Sequence, residues 1–228
     1  LEKAGYGSLV HHALEIFHQG REGYPAPLTI PVTRDNHATA VQRLEQVSQQ
    51  LFTRELEDNY EHRAWLRRWR LLIPSYLDWL IDHQVTWDFL AGEQDGRRDL
   101  HGGHVLEGRV DRVDDSANGR LVIDYKTGTA PDQAAVDSGE AVQLPSYALL
   151  LPDIPAAVQY VKLDRRVGDG SRVEGPALNR LSAQVLQRLE TVLEQIESGV
   201  PLPAWGDSRT CEHCDMDGLC RKQAWPQS

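Results

Sequence analysis

The chain has 228 residues, 40% of them hydrophobic and six of them Trp, which is enough to bury the core of one domain with an appended tail. Its 34 acidic residues outnumber 24 Lys and Arg and leave a formal charge of −10. That balance argues against a stand-alone protein that grips nucleic acid by bulk charge, because phosphate contacts supply most non-specific affinity; no apolar run approaches the roughly 20 residues of a membrane-spanning helix.

Residues 1–20 show helical periodicity and carry Gly7-Ser8-Leu9-Val10-His11. His12 adjoins His11; the spacing from Gly7 favours His11, and helical phase puts His12 on a different face. After a Pro-rich loop, Tyr24-Pro25-Ala26-Pro27, helical periodicity resumes over about 36–90, with a break expected at Pro74. Within it, His62 to Arg70 interleaves arginines with Trp65 and Trp69. Such a pattern suits a single-strand path of cations and stacking platforms. It suits better an amphipathic helix with Trp65, Leu66 and Trp69 packed inward and the arginines solvated.

The next segment, GRVDRVDDSANGRLVIDYKTG at 108–128, reads as a β-hairpin whose reversal near Asn118 and Gly119 is made of short polar side chains and glycine. Alternation along the second arm puts Val122, Asp124 and Lys126 on one face and Leu121, Ile123 and Tyr125 on the other. Pairing the arms carries Asp111 to the same end of the hairpin as Asp124 and Lys126. Carboxylates that close disfavour joint ionisation unless a cation balances them, and a hard divalent ion such as Mg²⁺ takes carboxylate oxygens together with water and phosphate. The neighbouring ammonium then has a role, stabilising a hydroxide nucleophile or charge developing on a phosphate.

Residues 139–151 read as a helix, with Gln143 and Tyr147 four apart and so on one face, from which both can point at one phosphate or at Lys126. A strand follows at 156–163, ending in the basic run Lys162-Leu163-Asp164-Arg165-Arg166, and then an amphipathic helix at 177–198. A helix between the hairpin and a later strand implies a crossover and a mixed sheet with helices on its faces, an α/β fold. Pro201 and Pro203 mark the exit to a tail that holds every cysteine: Cys211, Cys214 and Cys220. An odd, tightly spaced set with no secretory signal before it speaks for a reduced, cytoplasmic compartment and for a ligand cluster, not a disulfide framework. Zinc and iron–sulfur clusters both suit such thiolates and both want four ligands; His213 is the nearby candidate for a fourth zinc ligand, though it sits awkwardly between two others.

Taken together, Gly-x-x-x-His, GRVDRVD, VIDYKTG, the QLPSY run from Gln143 to Tyr147 and the cysteine cluster resemble, in order and spacing, the RecB-like branch of the PD-(D/E)XK nucleases. The likeness is greatest to the nuclease domain of AddB-type helicase–nuclease subunits and to CRISPR-associated RecB-like exonucleases, and covers about residues 5–221. It implies a restriction-endonuclease-like mixed sheet flanked by helices, with a helical region over about 1–90, a catalytic core over about 91–200, and the tail at 201–228 packed on the same domain. It implies a site in which His11, Asp111 and Asp124 hold Mg²⁺ or Mn²⁺ with help from the Tyr125 carbonyl, Lys126 serves the nucleophile, and Gln143 and Tyr147 position the strand. It implies further that Cys211, Cys214 and Cys220 hold a [4Fe-4S] cluster, whose fourth Cys in such relatives lies upstream of the Gly-x-x-x-His helix. The chain begins at Leu1 without an initiator Met, so a piece of a longer protein is expected, with that ligand outside it.

The expected function is hydrolysis of DNA, at ends or single strands, within a recombination or repair machine whose helicase domain or subunit feeds the strand. Two other readings are a catalytically dead DNA-binding scaffold, against which stand the intact motif positions, and a free-standing nuclease of CRISPR adaptation.

Overall fold

The computed structural model describes residues 2–55, 60–201, 211 and 214–220. Three helices open the chain: α1 (Glu2–Gln19), α2 (His37–Glu55) and α3 (Tyr60–His83). Each buries a stripe at helical spacing, as with Ala40, Leu44, Val47 and Leu51 of α2 or Trp69, Leu72, Ile73, Tyr76, Leu77 and Leu80 of α3. Pro74 does not break α3, contrary to the sequence expectation. It faces solvent, while Ile73, Tyr76 and Leu77 around it are buried, and that packing outweighs the hydrogen bond a proline forfeits.

The expected helical stretch also ends early, because β1 (Asp88–Asp99) begins at residue 88. β1 pairs antiparallel with β2 (Val105–Asp115), and β2 with β3 (Leu121–Lys126), which is the hairpin the sequence displays. From β3 the chain crosses through the short α4 (Gln133–Asp137) and α5 (Gln143–Leu150) to β4 (Ala157–Leu163), parallel to β3. α5 starts at 143 and not 139; Gly139, at φ 78°, closes the turn after α4 in a conformation that glycine adopts freely. β5 (Val167–Glu174) returns antiparallel on β4 and completes a five-stranded sheet of order β1-β2-β3-β4-β5. α6 (Gly175–Glu197) follows, and Asp217–Cys220 form a last short helix, α7.

Alternation along the strands divides the core. Leu121, Ile123 and Tyr125 of β3, with Val161 and Leu163 of β4, pack under α1, α2 and α3. Val122 and Val158 turn to the other face, with Leu144, Ala148, Leu178 and Leu181 of α5 and α6. This is the restriction-endonuclease-like α/β arrangement, a mixed sheet flanked by helices with a helical N-terminal region. Contacts divide the chain into residues 1–186, which hold the sheet, and residues 187–228, which hold the end of α6 and the cysteines. Among the described residues no helix is long and apolar enough to cross a membrane.

Leu144 is fully buried beside Gln143, so Leu144→Ala is expected to lower unfolding stability by about 2–5 kcal/mol, read as a lower urea midpoint at unchanged m-value. A loss below about 1 kcal/mol would mean that α5 is not anchored by this contact.

Candidate active site

The β2–β3 ladder runs through Asp114↔Leu121, Val113↔Val122 and Arg112↔Ile123 and then stops. Beyond it the Tyr125 N–H donates not to a partner carbonyl but to Oδ2 of Asp111, at 2.7 Å. Two carboxylates, Asp111 and Asp124, therefore stand at the fork of two strands. β1 adds a third. Glu93 lies between the pairs Gly92↔Arg112 and Gln94↔Val110, opposite Asp111, and its φ of 45° is the single left-handed non-glycine value among the described residues. Strain of that kind persists only where the surroundings impose it, and it gathers at functional sites.

Ligand-capable atoms of His11, Glu93 and Asp111 all lie within 4.8 Å of one another. His11 reaches the fork from α1: its Nε2–H donates to the Tyr125 carbonyl at 2.9 Å, which leaves Nδ1 facing Asp111 Oδ1 at 3.4 Å. Gly7, one turn earlier, makes this approach possible, because a Cβ there would stand 3.1 Å from Thr127 Oγ1 at the end of β3. Burial opposes a charged His11 ring, but the hydrogen bond and charge of Asp111 outweigh it and raise the pKa. Burial, then the charge of Asp111, push Glu93 up to about 7.

Because its folded pKa exceeds its ordinary value, Glu93 costs no stability at low pH and works against the fold as pH rises from about 4.5 through about 7. In metal-free buffer Glu93→Gln is expected to melt higher than the parent at pH 8 and together with it at pH 4. Equal melting temperatures at pH 8 would mean that Glu93 feels neither burial nor Asp111.

On the α5 side of the fork, Asp124 is 2% exposed. Its Oδ1 accepts from Tyr147 Oη at 3.0 Å, and Lys126 Nζ lies 2.8 Å from Oδ2 as an ion pair, which leaves Oδ2 without a well-directed hydrogen-bond donor. Lys126 donates to Gln143 Oε1 at 2.7 Å, and Gln143 Nε2 donates to Tyr147 Oη at 2.8 Å. The Lys126 ammonium also stands 5.2 Å from the Tyr160 ring centre. Burial and the charge of Asp111 raise the Asp124 pKa, against the lowering effect of Lys126.

The expected site residues thus fall into two connected groups: His11, Asp111 and the Tyr125 carbonyl on one side of β3, and Asp124, Lys126, Gln143 and Tyr147 on the other. Asp124 is outside the group of close ligand atoms, and Glu93 is inside it. A divalent cation fits this donor set, which offers hard carboxylate oxygens, one imidazole, and a buried Asp124 oxygen short of a donor.

The other acid of GRVDRVD has a different fate. Asp114 is fully buried and accepts from Arg112 Nε at 2.7 and 2.9 Å and from His83 at 2.7 Å. A cavity of about 260 Å³ beside this network, lined by Phe17, His18, Phe89 and Arg112 among others, does not include the fork. Trp69 is fully buried and donates to Ser48 Oγ at 2.8 Å, so it is core and not a stacking platform. Cys211, Cys214 and Cys220 lie in the second unit, with the Cys214 N–H donating to the Cys211 carbonyl at 3.2 Å; His213 lies outside the described residues.

Compared with known proteins, residues 1–221 match the family model described as the PD-(D/E)XK nuclease superfamily. No curated protein matches the chain. Among solved structures, the crystal structure of SSO0001 is similar at 15% identity over 97% of this chain and 96% of that one, with a TM-score of 0.39.

Proposed function

We propose, from the premise that this chain belongs to the PD-(D/E)XK nuclease superfamily, that it hydrolyses the phosphodiester bonds of DNA with Mg²⁺ or Mn²⁺, working as an exonuclease on ends or single strands. The observation that carries the reading is the fork of β2 and β3, where a close group of His11, Glu93 and Asp111 meets the Asp124–Lys126 pair. His11, Glu93 and Asp111 would hold the cation, with the Tyr125 carbonyl and the Asp124 carboxylate beside them. Bound there, a divalent ion acidifies water and draws charge from the phosphoryl oxygens.

The chain's own groups supply the rest. Lys126, held by Gln143 Oε1 and Asp124, presents its ammonium to the charge that grows on phosphate as the water oxygen bonds to phosphorus and the ester P–O bond breaks. Tyr147 donates to Asp124 and receives from Gln143, so it fixes the orientation of the acid and of the amide that restrains Lys126.

The wider setting is part of the same proposal: a nuclease domain of a recombination or repair protein, served by a helicase domain or subunit of the RecB–AddB kind. The three thiols would supply three ligands of a [4Fe-4S] cluster, supported by their spacing. Iron and sulfide analysis of anaerobically purified protein tests that part separately.

The test of function is incubation of end-labelled linear single- and double-stranded DNA with the chain in Mg²⁺ or Mn²⁺. Cleavage that EDTA abolishes is expected. No cleavage of either substrate in either metal would overturn the reading.

A further inference from the structure

We propose that Lys162, Arg165 and Arg166, at the end of β4 and in the turn to β5, form a phosphate track that binds the DNA strand beside the cleavage fork. The identity of the partner rests on the nuclease reading above; the surface itself stands on its own geometry. Lys162 is paired in register with Lys126 across parallel strands, so their backbones are about 4.8 Å apart. Residues paired in this way put their side chains on one face, and that face is the one from which Asp124 and Lys126 meet α5.

The strand beyond Lys162 is bare. Lys162 pairs with Gly168 of β5, and a Cβ built on Gly168 would meet nothing within 4 Å. Gly170 is tight in the opposite sense: a Cβ there would stand 3.0 Å from Tyr160 and 3.3 Å from Lys162 Cε, so glycine is needed for the lysine stem to lie across the strand. The result is a shelf that carries the Lys162 stem and continues from Lys126 over β4 to the open Gly168 of β5.

The basic residues of this run have no acidic partner among the described residues, and its own acid, Asp164, neighbours Arg68. Asp164, the one acid within the run 162–166, is taken by Arg68, whose Nη2 lies 3.1 Å from it and 3.3 Å from the Thr127 carbonyl. Lys162, Arg165 and Arg166 are all exposed and make no hydrogen bond, ion pair or ring contact within the described residues. In a chain of net charge −10, these three cations stand beside the acidic fork. An evenly spaced polyanion, such as the phosphodiester backbone leading to the scissile bond, matches them, and an exposed Lys and Arg set without partners loses nothing by turning to it.

The experiment is fluorescence anisotropy of a labelled single strand and of a labelled duplex, titrated with the full chain in EDTA at several salt concentrations. Relative to the parent, the K162A/R165A/R166A variant is expected to lose about 2 from the slope of log affinity against log salt on single strands, or about 3 on duplex. K162R/R165K/R166K keeps the parent slope, and circular dichroism checks that all three proteins fold. In cleavage assays the loss falls on KM. An unchanged slope in the alanine variant, or a parent without measurable DNA affinity at low salt, would overturn the track. A parent that binds with the expected slope but cuts nothing would leave the track standing and overturn the nuclease reading instead.

Discussion

Asp111→Asn is expected to leave a folded protein whose DNA cleavage in saturating Mg²⁺ has fallen by about 10³-fold, the several kcal/mol that a metal's charge contributes to such a step. The asparagine is chosen because Asp111 has a structural duty as well as a charge. Its Oδ2 accepts the Tyr125 N–H at 2.7 Å, and an amide oxygen can still do so, so the splayed end of the hairpin keeps its partner. What disappears is the anion next to His11 Nδ1 and opposite Glu93. Both neighbours register the change. The His11 pKa, held up by Asp111 against burial, falls; that of Glu93, raised first by burial and then by Asp111, falls as well. Calorimetric titration with Mn²⁺ should show binding weakened in step with activity. A variant that cuts within tenfold of the parent would mean that the divalent ion is held elsewhere.

Why Asp111 was legible in the sequence and Glu93 was not follows from the strands that carry them. β3 is an apolar strand, LVIDYK, ending in a carboxylate and an ammonium, and the tight polar reversal before it fixes which arm opposes which. Asp111 and Asp124 could therefore be placed together from alternation and turn chemistry alone. β1 reads DFLAGEQDGRRD, with no apolar alternation, because its residues are mostly half-exposed and its pairing is earned by backbone hydrogen bonds along the long β1–β2 ladder. Without that strand no register places Glu93 opposite Asp111. β5, VGDGSRVE, hid for a similar reason: its glycines lie at the open shelf and against Tyr160, where a side chain is unneeded or excluded. Pro74 misled in the other direction, since local chemistry marked a break that tertiary burial of Ile73, Tyr76 and Leu77 overrides. Gln143 and Tyr147 share a helical face, as their spacing implies, and of the two targets open to that face Gln143 takes Lys126, while Tyr147 holds Asp124, a partner that spacing does not indicate.

Those partners shape the second large effect. Lys126→Met, which keeps the length of the stem and removes the charge, is expected to lower kcat by about 10²–10³-fold with KM little changed, since the ammonium is needed most when charge grows on phosphate. Lys126 is 24% exposed at the side chain, and its ammonium is already placed by Gln143 Oε1 at 2.7 Å and Asp124 Oδ2 at 2.8 Å. The substitution also touches Asp124. Burial and the charge of Asp111 raise that carboxyl's pKa and Lys126 lowers it, so the variant's Asp124 goes up further. An acid raised in the folded state loses stability as pH climbs, and Lys126→Met should therefore melt progressively lower than the parent from acid to neutral pH, by an amount that vanishes at low pH. Gln143→Ala separates placement from charge. It leaves the ammonium but removes one restraint, so it should cost less than Lys126→Met, and the double variant should be no slower than Lys126→Met alone, because the amide acts through the lysine. Additive losses would give Gln143 an independent contact with the strand. A rise in KM at unchanged kcat in Lys126→Met would reduce the lysine to a ground-state phosphate contact, no different in kind from Lys162 on the strand beside it.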